Sequence, residues 1–95
     1  MSVAIVENDL FEWTGGEQYI TRWEKPGHDW HTFFCKKCGS PLPGPNDPQR
    51  MYLPVGVITA GHENLRVAHH IHVASKASWD EIGDAGKQHD KGFGE

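Results

Sequence analysis

The sequence predicts a small all-β domain of about six short strands, antiparallel because the connections between them are short. Three observations predict it. The 95 residues include 11 Gly and 6 Pro, spread so that few stretches of ten lack a helix breaker. The apolar residues come in short runs, without the 3.6-residue spacing of a helix face. Within several runs apolar and polar residues alternate, as on a half-buried strand.

The elements follow in chain order. Residues 2–6 start a first strand, and Asn8-Asp9 turns the chain. Residues 10–14 read as a second strand, broken by Gly15-Gly16. In 18–23, Tyr19, Thr21 and Trp23 fall on one face and Gln18, Ile20 and Arg22 on the other. Pro26-Gly27 marks a hairpin turn into a partner strand at 30–34. Residues 35–49 read as a loop, because Pro41, Pro43, Pro45 and Pro48 interrupt any ladder. Residues 50–59 form the most apolar run and the expected central strand, with Pro54 at a bulge or edge. Residues 65–74 are the next strand. Residues 78–82 fit one helical turn, with Ser78 as N-cap and Glu81 at the capping-box position. After Gly83 only Ala85 and Phe93 are apolar, so 83–95 is expected to be a disordered, flexible tail on a single domain spanning 1–82. The expected core is Trp13, Tyr19, Trp23, Phe33, Tyr52, Val55, Val57, Val73 and Trp79.

Composition narrows the function. Leu, Ile, Val and Phe total 19 residues, a lean supply that four Trp and two Tyr supplement. No apolar stretch approaches the ~20 residues of a membrane span, and the short run from Val3 to Val6 lacks the basic flank of a secretory signal. With 9 basic and 13 acidic residues, binding to nucleic acid through phosphates is not expected. Two cysteines make no disulfide scaffold, and a reducing, cytoplasmic setting is expected.

The chemistry-bearing motif is Cys35-Lys36-Lys37-Cys38-Gly39. Two randomly placed cysteines in a chain this long take this spacing about 2% of the time. As a zinc knuckle, the two thiolates reach one ion across a tight turn, and Gly39 lets the backbone take positive φ so that amide N–H groups face sulfur. As a redox pair, the first cysteine needs a helix N-terminus, which Gly39, Pro41, Pro43, Gly44 and Pro45 forbid. Two idle thiols are the bland alternative. Structural zinc takes four ligands, so two more are needed. His70 and His72, two apart on an expected strand, share a face and are the candidates, while His69 faces the other way. His31 lies ~13 Å from Cys35 on an extended strand, too far to share its ion.

Several segments taken together resemble a known family: Phe11 to Glu17 as Phe-x-Trp-x-x-Gly-Glu, Thr21-Arg22-Trp23, the run from Phe33 to Leu42 around the cysteines, Val55-Gly56-Val57-Ile58, and the run from His70 to Trp79. Their order is similar to that of the glutathione-dependent formaldehyde-activating enzymes, a carbon–sulfur lyase family that also includes centromere protein V. The resemblance implies a β-tent, two packed sheets pinned by zinc at a knuckle loop. It also implies that Cys35 and Cys38 correspond to the later pair of the family's structural zinc site. Nothing here matches the family's N-terminal cysteine pair or the Cys-x-Cys-x-x-Cys group that holds its catalytic zinc. The chain looks like the family's C-terminal two-thirds, truncated at the N-terminus.

Two functions are therefore expected. One is a non-catalytic zinc-knuckle module that forms a homodimer, with the half-site completed by a second chain or left without metal. The other is an active carbon–sulfur lyase on glutathione or another small thiol adduct, with a His-containing metal site drawn from residues such as His69, His70 and His72. No catalytic residue is identified from sequence, and neither nucleic acid nor a membrane is an expected partner.

Overall fold

A computed structural model describes residues 1–93. The chain is built of strands, short 3-10 turns and irregular segments, with no α-helix among the described residues. It divides into two compact units, Met1–Gly61 and His62–Glu95.

The first unit carries two antiparallel sheets. Strand β1 (Val3–Glu7) and strand β4 (Gly44–Asp47) flank strand β5 (Arg50–Pro54) in the order β1-β5-β4. Strands β2 (Ile20–Glu24) and β3 (His31–Cys35) form a hairpin, with Ile20 opposite Cys35 and Glu24 opposite His31. The apolar run at 50–59 does supply the central strand. It ends at Pro54, opposite Val3, and continues as a 3-10 turn over Val55–Val57. The irregularity expected at Pro54 falls instead on β4, where the register shifts between Pro45 and Asp47. Pro45 is tolerated there because β4 is an edge strand. The expected loop at 35–49 thus contains a strand after all. The expected strand at 10–14 is absent: Asn8–Leu10 makes a 3-10 turn, and 11–14 runs without a partner.

The two sheets of this unit meet at Gly44, one of two buried residues among those described, the other being Pro54. The rings of Phe33 on β3 and Tyr52 on β5 close over the Gly44 Cα. Burial raises the Tyr52 phenol above the ordinary range.

The second unit pairs β6 (His69–His70) in parallel with β7 (Lys87–Gln88). The strand expected over 65–74 is cut short at His70. His72 takes a left-handed conformation, φ 56°, and a 3-10 turn follows over Val73–Ser75. The helical turn expected at 78–82 is a simple turn closed by the Asp80 N–H donating to the Ala77 carbonyl at 3.0 Å. The segment expected as a tail contributes β7, and the amides of His72 and Val73 donate to the carbonyls of Lys91 and His89 at 2.7 and 3.0 Å. Its last two residues, 94 and 95, lie outside the described residues.

The expected core is half-buried. Trp13, Tyr19, Phe33, Tyr52, Val55 and Val73 are partly covered, whereas Trp23, Val57 and Trp79 are 49%, 38% and 84% exposed. Among the described residues no apolar side chain is fully buried. The chain exposes 7756 Å², against roughly 5,500 Å² for a folded monomer of this mass.

Candidate metal centre

The cysteine pair sits at the end of the β2–β3 hairpin. Cys35 is the last residue of β3, and the chain then reverses within Lys36, Lys37 and Cys38. Three backbone bonds lock the reversal. Gly39 N–H donates to the Cys35 carbonyl at 2.7 Å, Cys35 N–H to Ser40 at 2.9 Å, and Leu42 N–H to Phe33 at 3.0 Å. Gly39 has φ +79°, the left-handed conformation in which an L side chain is strained. The returning chain makes an isolated bridge from Pro41 to Phe34, so the turn is a knuckle held on both sides. Toward the 3-10 turn Glu17–Tyr19 that precedes β2, Lys36 N–H donates to the Tyr19 carbonyl at 2.9 Å, and the Lys37 ammonium lies 5.4 Å from the centre of the Tyr19 ring.

The knuckle favours the ionised form of Cys35. Cys35 is half-buried, Cys38 is exposed, and both are free. The Cys38 and Lys37 amide N–H groups, with smaller help from the Cys38 thiol and the Lys37 charge, hold the Cys35 thiol below its usual range against a small desolvation cost. Backbone amides aimed at sulfur, two thiols across a turn and a left-handed glycine after the second cysteine fit half of a tetrahedral zinc site. Among the described residues no three of His, Cys, Asp and Glu gather into a group that would hold an ion.

His70 and His72 belong to the second unit. His70 Nε2 bonds both oxygens of the Asp84 carboxylate, at 2.8 and 3.1 Å. That contact, followed by the Gly86 N–H at 2.8 Å, holds Asp84 below the ordinary carboxylate range. The pair borders a cavity of about 230 Å³ that His72 and Lys76 also line. Strand alternation, which would put His70 and His72 on one face, stops at the left-handed His72.

Sequence reasoning missed two partners, Asp84 and His89. Both lie in the segment read as a tail, where neither apolar periodicity nor a motif draws attention. His89 meets His69, ring nitrogen to ring nitrogen, at 3.1 Å.

No curated protein and no solved structure matches the chain. The sequence model of the glutathione-dependent formaldehyde-activating enzymes matches residues 1–75, a span that holds both sheets of the first unit, the whole knuckle and the turn after His72. On that match, the chain belongs to the glutathione-dependent formaldehyde-activating enzyme family.

Proposed function

We propose that the chain is a non-catalytic member of its family, a cysteine-knuckle module that self-associates and shares zinc between two copies. The observation that carries this reading is the pairing of Cys35 and Cys38 on one locked turn with no third ligand grouped beside them among the described residues. A structural zinc takes four ligands, and a two-fold axis at the knuckle turns two thiolates into four. Exposed apolar surface supports the same arrangement. Val3 and Ile5 on β1, with Trp23 and Trp30 on the hairpin, are 43%, 44%, 49% and 53% exposed. Strand β1 is also an edge without proline, open to pairing. The 95 residues hold two cysteines, both in the knuckle, which leaves none for a second, catalytic thiolate group. Two free thiols suit a reducing cytoplasmic compartment.

The second reading is a carbon–sulfur lyase on a small thiol adduct such as that of glutathione. The Asp84–His70 pair beside a cavity favours it, because a carboxylate-held imidazole is a general base. At about 230 Å³ the cavity is smaller than the ~300–1,000 Å³ of ordinary ligand pockets, which puts this reading second.

Zinc per chain, measured with the mass in solution, tests the proposal. It predicts one zinc per two chains in a dimer whose cobalt-substituted form shows four-thiolate absorption, and no S-hydroxymethylglutathione formation above the spontaneous rate. A saturable, EDTA-sensitive rate at micromolar protein, or a cooperatively folded monomer at ~100 μM, overturns it, since mass action favours a dimer at that concentration.

A further inference from the structure

We propose that His69 and His89 form a second metal site, a two-imidazole clamp for a divalent transition-metal ion that is independent of the cysteine knuckle. His69 opens β6, and His89 directly follows β7. The parallel pairing of these strands, with His69 opposite Lys87, carries His89 beside His69. The His89 N–H, donating to the His70 carbonyl at 2.8 Å, and the Val73 N–H, donating to the His89 carbonyl at 3.0 Å, hold the backbone of His89 from both sides.

The result is a fixed pair of donors. His69 Nδ1 and His89 Nε2 are 3.1 Å apart. Two imidazole nitrogens at 2.0–2.1 Å from one ion stand roughly 2.9 Å apart at a right angle and about 3.4 Å apart at a tetrahedral angle. The observed separation lies between these limits. Phe93 contacts both rings, edge-on to His69 at 4.4 Å and stacked on His89 at 5.2 Å between centres.

The same 3.1 Å contact in the metal-free chain is a hydrogen bond in which one ring donates and the other accepts. Binding needs both facing nitrogens unprotonated. The shared proton moves to the outward nitrogen of its own ring, so the neutral pair releases no net proton. Two metal–nitrogen bonds replace two bonds to water, and water keeps the remaining positions. Imidazole donors suit Ni²⁺, Cu²⁺ and Zn²⁺ and disfavour Mg²⁺ and Ca²⁺. The neighbouring His70 is engaged separately, its Nε2 bonded to the Asp84 carboxylate.

Ni²⁺ is the probe, added to the full chain and followed by NMR of the seven histidine rings. Sub-stoichiometric Ni²⁺ broadens the His69 and His89 ring signals before those of His28, His31 and His62, and Mg²⁺ at the same concentration does not. By titration calorimetry on a Cys35→Ser/Cys38→Ser chain, His89→Gln and His69→Gln each weaken Ni²⁺ binding about a hundredfold, because the second imidazole no longer binds intramolecularly. His62→Gln leaves binding unchanged. Broadening that reaches all seven rings together, or Gln variants that bind Ni²⁺ like the parent, overturns the proposal. The ring-signal measurement uses the unsubstituted chain, so misfolding of a variant does not rescue or sink it. Knuckle zinc is read separately, by thiolate absorption, so either site can fail alone.

Discussion

Phe33 lies across Gly44 so closely that a methyl group on Gly44 would stand 2.5 Å from its Cδ2 and 2.8 Å from the Tyr52 hydroxyl. This contact joins the β2–β3 hairpin to the three-stranded sheet of the first unit, and glycine is what allows it. Gly44→Ala should destabilise the protein by about 1–3 kcal/mol, because the Phe33 ring and the Tyr52 hydroxyl must both move to admit the methyl. Thermal unfolding checks it: an unchanged melting temperature would mean that the two sheets do not meet here.

Phe33→Ala and Trp79→Ala should separate cleanly. Phe33 sits at the junction of the sheets and should cost more than about 2 kcal/mol. Trp79 is 84% exposed, so its removal should change stability by no more than about 0.5 kcal/mol. Chemical denaturation of the two variants gives the comparison directly.

Gly39 has open space around its Cα but a φ of +79°. Gly39→Ala should therefore cost about 1–2 kcal/mol through backbone strain alone, and Gly39→Asn less, since Asn tolerates the left-handed region. Both losses should appear in zinc affinity as well as in melting, because the turn that positions Cys35 and Cys38 is the strained one. Equal stability of all three chains would contradict this.

Removal of metal should act on assembly and stability together. EDTA should lower the melting temperature and the dimer fraction in parallel, and Cys38→Ser should reproduce both effects without chelator. Light scattering beside calorimetry reads the two quantities. A dimer that persists unchanged in EDTA would remove the shared zinc while leaving self-association.

Acid should loosen the β4–β5 corner. The Gln49 amide, donating at 2.9 Å, then the Asn46 side chain and Arg50, hold the Asp47 carboxyl below its usual range despite a small desolvation cost. A carboxyl lowered in the folded state adds stability above its unfolded pKa, near 3.9, and that stability is lost as pH falls through the lower folded value. Asp47→Asn should therefore flatten the fall in melting temperature between about pH 5 and pH 2. An identical acid slope in parent and variant would show that Asp47 is not the group responsible.

The strand-dominated class, the hairpin at Pro26-Gly27, the central run from Arg50 and the knuckle at Cys35 and Cys38 were all legible in the order of residues. Each rests on a local cause: breaker residues, period-two alternation, or a turn that only glycine makes easily. The remainder depended on contacts between residues distant in the chain. The fate of 65–74 turned on the left-handed His72, whose amide is bonded to Lys91 while that of the next residue, Val73, is bonded to His89, both far along the chain. Trp23, Trp79 and Val57 looked like core because they are apolar, but burial depends on which surfaces other elements cover, and apolarity alone does not say. The same reason hid the His69–His89 and His70–Asp84 pairs. A donor's meaning lies in the atom that faces it, and residues 20 and 14 positions apart meet only once β6 and β7 are paired.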